Sequence, residues 1–273
     1  MSKFSVVMSV YIKDNPTFFK SAIESVLNQT IPPDEIILAL DGVLNDELYS
    51  IIDYYRNNSL FKFLNFENSV GLGKTRHESI LIASNDIIAV MDSDDIANPS
   101  RFELQISFLQ LNPDIDIIGG FIEEFKLVPG DLRIVREVPL RHNKIVALSK
   151  WRQSVNHVTV LFKKDAYLRS GGYRGLRKTE DFDLFYRMFN SNLKFANIPE
   201  ILVFVRFSSN QFIRRRGFSY LREEIEVFKK MKEAGYINFL QYISNIAIRI
   251  PLRLLPARVL KYFYYAFLRK KSH

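Results

Sequence analysis

The chain contains no cysteine. That excludes a disulfide framework and a cysteine-ligated zinc site, and it fits a reducing compartment. It also lacks any uninterrupted run of 18 apolar residues, so no membrane-spanning helix is expected. The opening segment "MSKFSVVMSVY" is without the long apolar core and small-residue cleavage site of a signal peptide, and it reads as a first strand. Charged residues make up 25% and aromatics 14%, so the composition carries no signature of disorder. Acidic residues stop altogether after Glu233.

What is present is 273 residues, 47% of them hydrophobic, enough for one large core or a core with an appendage. The net charge of +8 is unevenly spread. From Arg206 onward there are 15 Lys and Arg against 4 Asp and Glu, while the preceding residues hold 23 against 26. A slightly acidic body followed by a strongly basic tail points to an anionic partner for the tail: lipid, nucleic acid or a phosphorylated substrate.

Apolar runs alternate with helical patterns. Strands are expected over 5–11, 35–41, 61–66, 87–91 and 115–125, with helices over 17–28, 45–57, 74–83 and 101–111. "NPS" before Arg101 reads as a helix start, and "NPD" at 112–114 as a stop. Residues 126–153 read as an irregular excursion, followed by strands in "HVTVLFKK" (157–164) and "ILVFVRF" (201–207). This alternation argues for an α/β fold with a mixed, mostly parallel sheet flanked by helices. Ligands bind such sheets beyond the carboxyl ends of the strands. There the sequence turns polar: "SVYIKDN", "ALDG" and "MDSDD".

Asp92, Asp94 and Asp95 follow an apolar strand directly. Carboxylates this close raise one another's pKa unless a cation neutralises them. Hard oxygen ligands suit Mg²⁺ or Mn²⁺ bridging to a substrate's phosphates. The plain alternative is a solvated loop capping the helix at Arg101. "VGLGKTRHES" (70–79) invites a P-loop reading, but Asn68 stands where the first glycine belongs and the segment does not follow the first strand. A glycine turn opening a helix, with Lys74 and Arg76 in reach of phosphate, fits better. In "TEDFDLFYRM", Glu180 and Asp181 open a helix. They are either ordinary N-terminal acids with Thr179 as cap, or a general base on a rigid support.

Together "SVVMSVYIKDNPTFFKSAIESVLNQT", "EIILALDG", "GLGKTRHESILIASNDIIAVMDSDD", "HVTVLFKK", "SGGYR" and "TEDFDL" resemble the family 2 glycosyltransferases with the GT-A (Rossmann-like) fold. More narrowly, they are similar to bacterial enzymes that assemble O-antigen, capsule and exopolysaccharide repeat units, including the amylovoran type. The likeness covers about residues 4–206. It implies that Ser9, Val10, Tyr11 and Asp41 hold the nucleotide base, that Arg76 lies near the nucleotide, and that Asp92 and Asp94 bind ribose and the metal–diphosphate. His77 stands where asparagine is usual. Asp95 matches the "DxDD" form, Asp181 the catalytic base with Glu180 as runner-up, and His157 a histidine before the acceptor-side strand. The implied reaction is inverting transfer from a UDP-sugar to a polyprenyl-diphosphate-linked saccharide, with Mn²⁺ or Mg²⁺. A non-catalytic lipid-surface scaffold and a nucleotidyltransferase are the rival readings.

The boundary is placed at residue 210, with a catalytic domain over 1–210 and a basic, amphipathic helical region over 211–273. Arg214, Arg215 and Arg216 read as a solvated loop or a diphosphate contact. "IAIRIPLRLLPARVLKYFYYAFLRK" reads as a basic amphipathic helix with interfacial aromatics, suited to an anionic membrane surface, or else as a helix packed on the body. No nucleic-acid-binding motif is present, and the expected location is cytoplasmic, peripheral on the inner face of the bacterial plasma membrane.

Overall fold

The computed structural model describes residues 3–176, 178–207 and 217–256, with 259, 270 and 271. Arg214 and its two neighbours lie outside the described residues. The first half runs β1 (Phe4–Tyr11), α1 (Pro16–Leu27), β2 (Glu35–Asp41), α2 (Asp46–Tyr55), β3 (Phe61–Phe66), α3 (Leu72–Ile82), β4 (Ile87–Val90), β5 (Ile96–Ala97) and α4 (Arg101–Leu111). Then come β6 (Ile117–Phe125), β7 (Ile134–Arg136), α5 (His142–Ser149), β8 (Leu161–Lys163), α6 (Lys164–Arg169), α7 (Glu180–Asn190) and β9 (Phe195–Arg206). Helices α8 (Phe218–Glu233) and α9 (Phe239–Leu254) and a two-residue strand β10 (Lys270–Lys271) follow.

The described strands form one sheet in the order β10-β7-β6-β8-β4-β1-β2-β3, with β9 paired to both β6 and β5. Strands β3, β2, β1 and β4 are parallel, and β8 runs antiparallel to β4. The chain winds outward from β1 to β3 and then returns to place β4 on the other flank of β1. The winding direction therefore reverses between β1 and β4, and a crevice opens beyond their carboxyl ends.

Successive side chains on a strand point to opposite faces, so each strand feeds two cores. Val7, Ile37, Ile88 and Val90 join α3, α6, α7 and α8 on one face. Val6, Met8, Ile36, Leu38 and Ala89 join α1, α2 and α4 on the other. Helix α1 buries Phe19, Ala22, Ile23 and Val26, the stripe its spacing predicts, and Asn15 caps it by accepting from Phe18 N–H at 3.1 Å.

Three local readings need correction. The expected strand over 157–164 begins with a 3₁₀ turn at His157–Thr159, and only Leu161–Lys163 pair as strand. Side-chain bonds explain it: Thr159 Oγ1 donates to the Asn156 carbonyl at 2.7 Å and accepts from Gly120 N–H at 3.0 Å, closing the turn before the apolar residues reach the sheet. The 126–153 excursion contains β7 and α5. Thr179 does precede α7, but its side chain makes no cap bond there.

Within the basic region, α8 and α9 pack against the body. Val227, Phe228, Met231, Tyr236 and Ile237 belong to the α7 core. Two of its arginines turn inward: Arg249 Nε donates to Glu224 Oε1 at 3.0 Å, and Arg253 Nε to Glu224 Oε2 at 2.8 Å. Arg249 also donates to the Trp151 carbonyl, and Asn245 to that of Lys150 at 3.0 Å. This latch fixes one face of α9. The opposite face carries Leu240, Ile243, Ala247, Ile250, Pro251 and Leu254, all exposed. They recur at helical spacing, and Leu240 is 74% exposed.

Removing Glu224 leaves two guanidinium groups without their carboxylate, one of them buried. Breaking such a pair from one side costs about 3–5 kcal/mol. Glu224→Ala is expected to lower the free energy of unfolding by about 3 kcal/mol in urea titration; a change under about 0.5 kcal/mol would show that the latch contributes nothing.

Candidate functional site

The ends of β1, β2 and β4 and the starts of α3 and α7 converge on the crevice. Continuing the β1–β4 register from Val7 and Val90 sets Asp92 beside Ser9, and Met91 N–H donates to the Val7 carbonyl at 3.1 Å. The acidic turn thus starts at the end of β4, level with the end of β1. Ser9 Oγ and Thr75 Oγ1 lie 2.9 Å apart, joining β1 to α3. Val10 is buried in the core, whereas Tyr11 is exposed at the rim.

Asp41, at the end of β2, is buried and fully engaged. It accepts from Ser69 Oγ at 2.8 Å, Val70 N–H at 2.6 Å and Gly71 N–H at 3.2 Å. These bonds fix the loop that opens α3. Gly42 has φ +84°, and a Cβ there would stand 2.8 Å from the Ser69 nitrogen, so only glycine permits the close approach.

The turn Asp92–Asp95 divides its carboxylates by direction. Asp94 faces outward and is exposed; Asp95 is buried at 3% exposure and accepts from Arg206 N–H at 2.9 Å. Burial pushes the Asp95 carboxyl well above its usual range, and Asp94 and Asp92 push it further. A fourth carboxylate joins them. Asp14 accepts from Tyr11 N–H at 3.1 Å and Ser93 Oγ at 2.8 Å, stitching the loop after β1 to the turn. Burial raises Asp14 to about 6, with repulsion from Asp94 and Asp92 adding to the rise against its two hydrogen bonds.

Arginines from three elements surround this charge. Arg76 of α3, 4% exposed, donates to Asp92 Oδ1. Burial opposes its charge, but Asp92, Tyr173, Glu180 and Asp181 outweigh that and hold its pKa above the ordinary value. Arg101 of α4 is fully buried beneath the turn and donates to the Val90 carbonyl at 2.8 Å. Burial lowers it to about 9, with Asp92 and Asp95 resisting. Arg206 closes the third side from β9, its Nε donating to the Asp94 carbonyl at 3.1 Å.

Across the crevice stands the start of α7. A Cβ on Gly73 would meet the Arg174 and Leu176 carbonyls at 3.6 Å and Glu180 Cβ at 3.7 Å, so the starts of α3 and α7 abut. Burial, then repulsion from Asp181, lifts Glu180 to about 7, and its Oε2 is buried without a hydrogen-bond partner among the described residues. Asp181 Oδ1 accepts from Phe182 N–H at 2.7 Å. His157 Nε2 and the Tyr173 hydroxyl lie 2.6 Å apart; burial, then the charge of Arg76, holds His157 well below its usual pKa and so neutral. His77 Nδ1 and the Tyr167 hydroxyl are 2.7 Å apart, and Tyr173 N–H donates to the same hydroxyl at 3.0 Å. His77 therefore sits in the support of the "SGGYR" loop.

Arg76 is the common neighbour of Asp92, Glu180, Asp181 and, through Tyr173, His157. Asp14, Arg101, Arg206 and Tyr173 were missed as site members in the sequence. Asp14 alone had a signal, as the acid of "IKDN" after the first strand. No ready-made cage of three or more metal-ligating side chains occurs among the described residues. The donor set instead suits a hard cation that takes one or two carboxylates from the protein and completes its shell with substrate phosphates.

Residues 5–179 match the model of glycosyl transferase family 2, "Glycosyl transferase family 2". The chain is 37% identical over 268 residues to an Escherichia coli protein named UDP-Gal:alpha-D-GlcNAc-diphosphoundecaprenol beta-1,3-galactosyltransferase, covering 98% of this chain and 97% of that one. It is 31% identical to the amylovoran biosynthesis glycosyltransferase AmsE of Erwinia amylovora, covering 96% and 97%. Among solved structures it superposes on Staphylococcus aureus TarS 1–349 in complex with UDP-GlcNAc with a TM-score of 0.66 at 16% identity, over 97% of this chain and 73% of that one. The mannosyltransferase PcManGT of Pyrobaculum calidifontis, in complex with GDP-Man and Mn²⁺, gives 0.61 at 15% identity, over 97% and 79%. The chain belongs to glycosyl transferase family 2, and its fold is that of these transferases.

The raised pKa of Glu180 carries a sign. Between about pH 4.5 and 7 the folded state holds a proton that the unfolded state has released, so stability falls as pH rises through that window. Asp14 and Asp95 act in the same sense; neutral His157 acts oppositely, adding stability as pH rises toward its usual value of 6.5. Glu180→Gln removes the first contribution alone. Its urea midpoint should fall less than that of the wild type between about pH 5 and 7; parallel profiles would mean that Glu180 titrates normally.

Proposed function

We propose that the chain moves a hexose from a UDP-sugar to a saccharide carried on a polyprenyl diphosphate, during assembly of a bacterial surface polysaccharide. The observation that carries this is the acidic turn facing the Glu180–Asp181 helix start across the crevice, with Arg76 between them. The printed name of the Escherichia coli relative supplies the donor and acceptor classes, and the amylovoran relative supplies the setting.

In this reading the base and ribose lie along the ends of β1 and β2, by Ser9, Val10, Tyr11 and Asp41. Asp94, with Asp92, holds Mn²⁺ or Mg²⁺, which supplies neutralisation of the charge gathering on the departing diphosphate. Arg76 orients Asp92 and adds a fixed positive charge beside the nucleotide. Asp181 accepts the proton of the acceptor hydroxyl as that oxygen attacks the anomeric carbon. Glu180, titrating close to neutrality, is its reserve and sets the charge around it. His157, neutral and bonded to Tyr173, lines the acceptor side. Arg214 is assigned to a diphosphate contact on its charge and guanidinium geometry alone. Inversion at the anomeric carbon follows from the family.

The acceptor's lipid anchor gives the outward face of α9 a role. Its exposed apolar stripe, followed by a tail of arginines and lysines without acids, fits a peripheral helix lying on the anionic cytoplasmic face of the plasma membrane. None of the described helices is long and apolar enough to cross a bilayer. Arg249 and Arg253 are committed to Glu224, so the attraction falls to the apolar stripe and the later basic residues.

Calorimetric titration of UDP should show binding that depends on Mn²⁺. Asp94→Ala should lose that binding and all transfer while keeping the wild-type circular dichroism; full activity in the variant would defeat the donor assignment. Asp181→Asn should bind UDP normally and lower turnover by about 10²-fold or more, and wild-type turnover would remove the base role. Leu240→Asp combined with Ile243→Asp should leave the protein in the supernatant when phosphatidylglycerol vesicles are pelleted. This pair leaves the Glu224 latch intact, unlike truncation after Ile237. Undiminished pelleting would rule out the α9 face.

A further inference from the structure

Arg206 ends β9, 111 residues from Asp95, and nothing in its sequence context marks it. In the fold it lies between two aromatic rings. Its guanidinium carbon is 3.7 Å from the ring centroid of Phe18 on α1 and 4.5 Å from that of Phe125 at the end of β6. Cation–aromatic contact at these distances with two rings holds a planar guanidinium in place. Two of its hydrogen bonds lead to the acidic turn. The backbone N–H donates to Asp95 Oδ1 at 2.9 Å and Nε to the Asp94 carbonyl at 3.1 Å. The pairing of β5 with β9, Ile96 with Phe204 and Ala97 with Val203, continues the same seam.

We propose that Arg206 is the positioning residue of the acidic turn: clamped between Phe18 and Phe125, it grips the turn by the Asp94 carbonyl and the Asp95 carboxylate and so fixes the direction in which Asp94 faces a cation and diphosphate. The two aspartates then have separate tasks. Asp95 turns inward as the turn's anchor, and Asp94 turns outward as its working carboxylate. A lysine keeps the charge but offers neither a planar group for two rings nor a side-chain N–H in the Nε position.

The inference rests on the donor-site reading for its purpose, and its test separates the two. Hydrogen exchange of the 92–97 amides is measured without nucleotide in wild type, Arg206→Met and Arg206→Lys. Exchange there is expected to quicken at least fivefold in both variants, with the β2 amides unchanged. Equal exchange in all three proteins overturns the clamp, and so does uniform quickening across the sheet, which marks a general loss of stability. UDP titration with Mn²⁺ follows on the same proteins. A drop in affinity of about tenfold in Arg206→Met, set against unchanged nucleotide affinity in EDTA, supports positioning toward the cation. Wild-type affinity with Mn²⁺ overturns it. If the wild type itself shows no metal-dependent binding, the donor reading fails, while the exchange data still decide whether Arg206 holds the turn. Phe18→Leu, which leaves the arginine in place and removes one ring, should quicken exchange over 92–97 to a smaller extent.

Discussion

The arrangement depends on confining like charge at one strand end. Asp92, Asp94 and Asp95 sit within four residues, and Asp14 is drawn in from another loop. Left alone, this concentration would splay the turn or keep its carboxylates protonated. The fold opposes it with cations from three directions: Arg76 in front, Arg101 beneath and Arg206 at the side. Each comes from a different element, so the positions of α3, α4 and β9 are all tied to the same turn. Asp14 and Asp95 nevertheless remain raised, by burial first and by the neighbouring carboxylates after it. The turn therefore remains a place where added positive charge is favoured.

Arg76 extends the same constraint across the crevice. It is buried, bonded to Asp92 and in the field of Glu180 and Asp181. The end of β4 and the start of α7 therefore share one cation. His157, beside the Tyr173 hydroxyl, is held neutral by burial first and by the charge of Arg76 second. Gly172 completes the wall. With φ +59°, a Cβ there would lie 2.8 Å from both His77 Nδ1 and the Tyr167 hydroxyl.

Much of this was legible in the sequence because it is local. Strand–helix alternation, the stripe of α1 and the apolar run ending in "MDSDD" each occupy a few consecutive residues. The compensating groups were not legible, because their partners are distant. Asp14 reaches Ser93 across 79 residues and Arg206 reaches the turn across 111. Arg101 read as an ordinary helix start, since nothing nearby shows that the helix would lie beneath β4. The first part of the 157–164 strand failed for the opposite reason: short-range bonds from Thr159 outcompeted an apolar pattern that periodicity alone reads as extended. In the basic tail, charge suggested solvent or lipid, whereas Glu224, 25 and 29 residues away from its arginines, turned two of them inward.

The sheet divides the hydrophobic interior into two chambers that share backbone but few side chains. One is lined by α1, α2 and α4; the other by α3, α6, α7 and α8. Substitutions in chambers separated in this way add nearly independently. The helices beside Asp181 and the docked C-terminal pair can thus drift in size and shape without disturbing the packing behind the nucleotide end of β2. A lineage built on this plan is free to remodel one side of the sheet while inheriting the other intact.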